Sequence, residues 1–547
     1  MLVPVHKFLF TLTPSGNIQK CNKGLKRKMN KQQNRLLGLD KIYELISVPG
    51  DFFEAVKRQK LSSVYHEPLE IIEAYRRREC FIAELSHDSE AKWNNLLAHF
   101  MDFNLSIFKK GNPAIHELYE LKSFIYHYDA LKKYAESHKI AAYDLPDLEG
   151  LFVLLDPEGG RIPSFRLSPL YSKALQNMVK RRNELNRRLK HSRKEFLNEA
   201  QSKLGIDNLK DEFVLSRNQQ NLILKIQNSI YFTLSRESIS NLIFILADNP
   251  ETNGIKKELA ALAKEIESEE YSILKRLGEE VSQQYDLLKR ALASVKELGW
   301  DFSLAAFARR YRCCIPKISD HISLKQARNL PLELAVLSRK RSYQKLNLDF
   351  STNANLITGP NMGGKTSILK CLAQCAILLR FAIPLPAEQA TLPIYDFVYY
   401  NHASEAEDLS SFGYELVAFC SALNKEGRGL FLLDEFAKGT NPREGEALAA
   451  AVITYLSNSR HTTIAATHFT APALLRGIRQ YQIKGIDADA EQSMCEDLNE
   501  RLRKLSQAMD YNLVHLKANR KPPMDAIRIA SILGMPREIL DLVKEQE

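Results

Sequence analysis

The chain has 547 residues, of which 45% are hydrophobic and 26% charged, with a formal net charge of +10. This length exceeds the roughly 250–300 residues over which one hydrophobic core keeps growing, so two or more domains are expected in an otherwise ordinary globular composition. No run approaches the ~18 uninterrupted apolar residues that span a bilayer, and Met1–Leu12 contains His6 and Lys7 with no small-residue cleavage site after it, so membrane and secreted classes are set aside and a cytoplasmic protein is expected.

Residues 1–36 read as a basic extension without stable structure, either a disordered arm or a product of start-site choice. Lys7, Lys20, Lys23, Lys26, Arg27 and Lys28 give the first 28 residues +6 and leave +4 for the rest, which weakens any polyanion footprint over the body of the chain. Residues 37–160 read as a helical core, from the spacing of Leu45-Ile46, Phe52-Phe53, Leu69–Ile72 and Leu118–Tyr134. Phe52-Phe53-Glu54 fits an aromatic-x-acid pattern used to wedge into mismatched DNA, but it lies inside a helical stretch with no domain around it and reads as a chance match. Asp156-Pro-Glu-Gly-Gly160 is turn chemistry and marks a boundary.

Residues 161–340 read as lever helices around a clamp insert at about 205–252. Ser168–Leu204 is expected as one long helix, with Lys180, Arg181, Arg182, Arg187, Arg188, Lys190, Arg193 and Lys194 inside fifteen residues, either a solvated face or a phosphate-contacting arm. Between Phe213 and Leu246 the runs Leu222-Ile-Leu224 and Ile230-Tyr-Phe-Thr233 suggest strands. Ile255–Leu298 is expected as a single amphipathic helix, because Leu259, Leu262, Ile266, Ile273, Leu277, Val281, Leu288, Leu292 and Val295 recur at threes, fours and sevens. The eight cysteines are scattered without zinc spacing and are expected to be reduced and mostly buried.

Residues 341–547 change character. Asn355–Thr358, Leu430–Leu433 and Thr462–Ala466 are short apolar strands alternating with helical runs such as Thr366–Leu379, which predicts an α/β domain with a mainly parallel sheet. The first strand runs into Gly359-Pro360-Asn361-Met362-Gly363-Gly364-Lys365-Thr366-Ser367, which satisfies GxxxxGK[ST] between a strand and a helix, the context that makes the pattern specific for a nucleotide triphosphate. Amides of Gly363, Gly364 and Lys365 would wrap the β-phosphate at a helix N-terminus; Lys365 would neutralise charge between the β- and γ-phosphates, and the Thr366 hydroxyl would ligate Mg²⁺. The second strand delivers Asp434 and Glu435, 68 residues after Thr366, the former expected to bind Mg²⁺ and the latter to activate water. His468 follows the third strand as an expected γ-phosphate sensor. Asp408–Glu415, with Ser410 and Ser411, is a polar turn leading into a helix, where amides and hydroxyls suit an anion.

These residues together, Thr358–Thr366, Ser410-Ser-Phe-x-x-Glu415, Leu433-Asp-Glu435 followed by Lys438-Gly-Thr-Asn441, and Ala466-Thr-His468, resemble the ATPase of the MutS family, an ABC-type group. The likeness extends to Pro68-Leu69, Arg76–Arg78 and Phe81–Leu85, to Leu298–Pro316, and to Ala526–Pro536, which is similar to a terminal dimerisation segment. The resemblance implies an α/β P-loop (ABC-type) ATPase domain joined to a mainly α-helical core and lever domain with a small β-containing clamp insert. It implies ATP and Mg²⁺ as cofactors, and a homodimer or a heterodimer with a MutS-like paralogue in which Ser410 or Ser411 touches the γ-phosphate held by the other subunit. DNA clamped without mismatch-reading domains is the expected client; the alternative is a protein client, since short members of this layout resemble reactivating-factor subunits for cobalamin-dependent aminomutases. Two departures from the family are expected: mismatch-recognition domains before the core, for which little room is left, and a nuclease domain after Pro536, eleven residues from the last residue given, are both expected to be missing. The segment before Ser410 is also shorter than in mismatch-repair members.

Overall fold

A computed structural model describes residues 31–359, 364–401, 411–475, 477–486, 509–516, 530–531 and 534–544. Of the basic extension expected over residues 1–36, residues 1–30 lie outside these, as does most of Ala526–Pro536, whereas residues 31–36 form a helix and not a stretch without stable structure. In chain order the helices are α1 (Lys31–Leu37), α2 (Leu39–Glu44), α3 (Gly50–Lys60), α4 (Pro68–Glu84), α5 (His87–Ala98), α6 (Ile115–Ser137), α7 (Glu149–Leu155) and α8 (Lys173–Leu204). They continue with α9 (Gln220–Gln227), α10 (Pro250–Gln283), α11 (Tyr285–Tyr311), α12 (Leu330–Ser338), α13 (Lys365–Arg380), α14 (Ser411–Leu423), α15 (Pro442–Ser457), α16 (Thr470–Ala473) and α17 (Arg537–Lys544). The strands are β1 (Glu212–Ser216), β2 (Phe232–Glu237), β3 (Asn241–Leu246), β4 (Lys317–Ile318), β5 (Ile322–Ala327), β6 (Leu346–Phe350) and β7 (Ala354–Thr358). The rest are β8 (Gln389–Leu392), β9 (Phe397–Tyr400), β10 (Gly429–Asp434), β11 (Thr462–Ala466), β12 (Arg479–Ile486) and β13 (Met509–Leu516). No helix among the described residues is long and apolar enough to cross a membrane.

The chain divides into two compact units, one holding Ser47–Lys57 and Arg76–Arg310, the other the residues up to Ile46, Arg58–Tyr75 and those from Tyr311 onward. The first is largely helical. Trp93, fully buried, packs edge-on against Phe81 at 5.2 Å and Tyr134 at 4.8 Å, and Asp301 in α11 accepts hydrogen bonds from Arg77 and Arg78, both at 2.8 Å, and from the Tyr143 hydroxyl at 3.0 Å. Phe52 and Phe53 belong to this core, and Gly299 lets α11 pass so close that a Cβ there would stand 2.0 Å from the Phe53 ring. A wedge into DNA is therefore not available to that pair.

Helix α8 buries Leu175, Leu185, Ser192, Phe196, Ala200 and Leu204 along one stripe and packs against α10, where Ser192 Oγ donates to Glu251 Oε2 at 2.7 Å. It begins at Lys173 rather than Ser168, because Ser168 and Pro169 open a separate 3-10 turn and Ser172 caps the helix proper. The expected single helix Ile255–Leu298 is two, α10 and α11, interrupted at Gln284, whose N–H bonds back to Val281 O at 3.0 Å before the helical ladder resumes. A second correction falls on Leu222–Leu224: these residues lie in helix α9, with Ile223 and Ile226 buried one turn apart, and not in a strand. The strands of the insert form an antiparallel sheet ordered β1-β3-β2.

The other unit is built on a six-stranded sheet, β13-β12-β7-β11-β10-β9, parallel except for the antiparallel edge strand β13. Every residue of β7 and β11 is buried, as befits central parallel strands covered on both faces. A smaller sheet, β4-β8-β5-β6, completes this unit. Of the described cysteines only Cys371 and Cys375 are buried; Cys80 and Cys420 are exposed, so the expectation of mostly buried thiols does not hold at those two positions.

Candidate functional site

The carboxyl ends of β7, β11 and β10 lie side by side, joined by the Thr467 N–H to Ile357 O at 3.2 Å and the Glu435 N–H to Ala466 O at 2.8 Å. Three sequence motifs far apart in the chain therefore converge on one edge of the sheet. Beyond β7, Gly359 adopts a φ of +146° and Gly364 a φ of +83°, backbone that favours glycine, and α13 starts at Lys365, directly after Gly364, which has no side chain with which to cap it. Backbone N–H groups at a helix start suit an anion. Tyr511 on β13 closes against this turn: a Cβ on Gly364 would meet its ring at 2.8 Å.

Lys365 is buried, and its Nζ donates to Gly359 O at 2.8 Å. Burial lowers its pKa, and the negative charges of Glu435 and Asp434 partly offset that. Thr366 is exposed and Ser367 half-buried at the start of α13. Asp434 ends β10 with its Oδ2 accepting from the Tyr400 hydroxyl at 3.0 Å, and burial beside Asp434 pushes the Tyr400 pKa well above its ordinary value. Glu435 sits at a φ of +50°, its Oε2 2.5 Å from Lys438 Nζ and its Oε1 3.6 Å from His468 Nδ1. Burial would raise the Glu435 pKa, but the Lys438 hydrogen bond, with the charges of Lys438, His468 and Lys365, holds it below the usual carboxylate range.

The structure thus brings together Lys365, Asp434, Glu435 and His468. Pro360, Asn361, Met362, Gly363 and Ser410 lie outside the described residues, and Ser411 is described only as the first residue of α14. Among the described residues no three His, Cys, Asp or Glu side chains gather into a metal cage. Such a cage is not what Mg²⁺ needs, since it is commonly held by one or two protein oxygens together with substrate phosphates and water; Asp434 and Thr366 supply hard oxygen of that kind.

Tyr400, Asn401 and Tyr511 belong to no sequence motif, and Lys438 and Glu415 stand in motifs that give them no role. Lys438 was legible in principle, three residues after Glu435 in a turn. Asn401 and Tyr511 carry no local signal, because they arrive through strand pairing.

Residues 355–546 match the family model for MutS domain V. The chain is 27% identical over 394 residues to the endonuclease MutS2 of Halothermothrix orenii, a match covering 65% of this chain and 47% of that protein. It is 30% identical over 225 residues to the DNA mismatch repair protein MutS of Thermus aquaticus, covering 40% of this chain and 27% of that protein. A third relative, the endonuclease MutS2 of Caldanaerobacter subterraneus subsp. tengcongensis, is 28% identical over 297 residues, 53% of this chain and 35% of that one. The chain spans less than half the length of these curated relatives.

Proposed function

Because its C-terminal part, residues 355–546, belongs to the MutS family, we propose that this chain is a magnesium-dependent ATPase working as a nucleotide-driven switch, and that DNA is the client of its helical unit. The observation that carries the ATPase reading is the buried Lys365 ammonium sharing one site with Asp434 and Glu435 at the sheet's carboxyl edge. In this reading residues 359–367 and the start of α13 bind the triphosphate, Lys365 neutralises its β- and γ-phosphates, and Thr366 with Asp434 would hold Mg²⁺. The metal supplies charge neutralisation across the phosphates. Glu435 accepts a proton from the attacking water, His468 senses the γ-phosphate, and Ser410 or Ser411 reaches the nucleotide of a second subunit, either another copy or a MutS-like paralogue. Retention and turnover of Mg·ATP by the wild-type protein and by Lys365→Ala test this reading: the variant should lose both, and equal turnover refutes it.

The DNA reading draws on α8. Lys180, Arg182, Arg187, Arg188, Lys190 and Lys194 are exposed and have no acidic partner among the described residues, whereas Arg181 and Arg193 pair with Glu258 and with Asp211 and Asp248. Six unpaired cations within four turns of helix suit a phosphate backbone. A specific observation favours a second reading, a protein client such as an aminomutase: the clamp insert exposes Val214 (57%), Leu224 (57%), Ile230 (77%) and Ile239 (99%), apolar side chains that phosphates cannot use. Duplex DNA binding at low salt that falls steeply with added salt supports the first reading; salt-independent capture of a protein that Ile239→Asp abolishes supports the second.

A further inference from the structure

Glu415 stands in the second turn of α14 and is buried, with 9% of its surface exposed. Its Oε1 accepts a hydrogen bond from Asn401 Nδ2 at 2.7 Å, and its Oε2 accepts one from the backbone N–H of Ala437 at 3.0 Å. Burial pushes its pKa up, those two hydrogen bonds oppose the rise, and no cation pairs with it among the described residues. A buried carboxylate without a counter-ion is a poor way to gain stability. Its two partners point to another use.

Asn401 faces the end of β10: its Nδ2 also donates to Asp434 O at 2.8 Å, and its Oδ1 accepts from the Asp434 N–H. Ala437, the other partner, has a φ of +64°, and Glu435 two residues before it has a φ of +50°. Left-handed backbone at two non-glycine residues so close together persists only where the surroundings over-determine it. Gly445 in α15 closes the far side, since a Cβ there would stand 2.5 Å from Ala437 O. One carboxylate therefore holds both flanks of the turn that presents Asp434 and Glu435.

We infer that Glu415 is a positioning residue which, through Asn401 and the Ala437 amide, fixes the Asp434–Ala437 turn so that the Glu435 carboxylate meets the attacking water. The inference rests on the ATPase reading. Glu415→Gln conserves volume but sets an NH₂ group against one of two N–H donors, so one hydrogen bond becomes a donor–donor contact. A displaced general base about 1 Å from its productive place costs on the order of 10- to 100-fold in rate.

The test is steady-state and single-turnover hydrolysis of Mg·ATP by the full chain, in a cycle of wild type, Glu415→Gln, Glu435→Gln and the double variant. The expected result is a kcat for Glu415→Gln lowered about 10- to 100-fold with KM inside about threefold, and almost no further loss when it is added to Glu435→Gln, because no carboxylate is left to misplace. An unchanged kcat, a raised KM at intact kcat, or a full additional loss on the Glu435→Gln background overturns the inference. Should Glu415→Gln not fold, Glu415→Asp, which keeps both acceptors but retracts them by one methylene, goes through the same cycle with the same criteria. Absence of hydrolysis by the wild type, or full hydrolysis by Lys365→Ala, is a different failure: it removes the ATPase reading and this inference with it.

Discussion

Gly364→Ala probes the proposed phosphate loop at the point where backbone and side-chain demands meet. Gly364 holds φ +83° and ψ +7° immediately before α13, a left-handed conformation that costs an L residue about 1–2 kcal/mol. The new Cβ would also stand 2.8 Å from Tyr511 Cδ1. The Tyr511 backbone cannot retreat freely, since its N–H bonds Gln344 Oε1 at 3.0 Å, so the ring must rotate away from its rotamer at about 0.5–1.5 kcal/mol. Together these come to roughly 1.5–3.5 kcal/mol against the binding-competent turn, or about 10- to 400-fold weaker binding. Titration of a fluorescent ATP analogue with Mg²⁺ reads that change directly, and thermal unfolding followed by circular dichroism shows that the variant still folds. An affinity within about twofold of wild type would refute the assignment of this turn to the nucleotide.

Three further outcomes are expected. Lys438→Ala removes the strongest influence holding the Glu435 pKa down, so the acid limb of the kcat–pH profile, which the depressed pKa sets below 4.5, should move to higher pH, and more so at low salt, because Lys438 is 60% exposed; a limb that stays in place contradicts Glu435 as the base. Replacing Arg182, Arg187 and Arg188 with Ala together should flatten the dependence of log K for duplex DNA on log salt by up to roughly 0.9 for each phosphate no longer neutralised, and an unchanged slope places DNA elsewhere or nowhere. Asp510 is pulled down from 3.8 to about 2: burial opposes the shift, while the Asn512 N–H, Gln344 and Lys484 overcome it. Its depressed value stabilises the folded state above 3.8, and that contribution is lost as pH falls toward about 2, so urea midpoints of Asp510→Asn should lose part of the wild-type acid dependence in that window.

The proposed nucleotide edge of the sheet was legible because buried parallel strands read as unbroken apolar runs, and Leu430–Leu433 and Thr462–Ala466 each end on the residues that matter. The long helices were legible from the spacing of Ile255 through Val295, but the interruption at Gln284 was not, since neither glycine nor proline marks it. Leu222–Leu224 misled because three consecutive apolar residues carry no period, and only Ile226, buried one turn after Ile223, reveals the helix. The Glu415–Asn401–Asp434 connection was hidden for a different reason. It joins residues 14 and 33 positions apart through polar groups whose meeting depends on β9 pairing with β10.

The most direct measurement on the proposed mechanism is single-turnover hydrolysis of γ-labelled ATP by Glu435→Gln beside the wild type. With Glu435 as the base, the variant binds Mg·ATP with near-normal affinity and retains the label unhydrolysed over many wild-type turnover times. Release of labelled phosphate at the wild-type rate would contradict it.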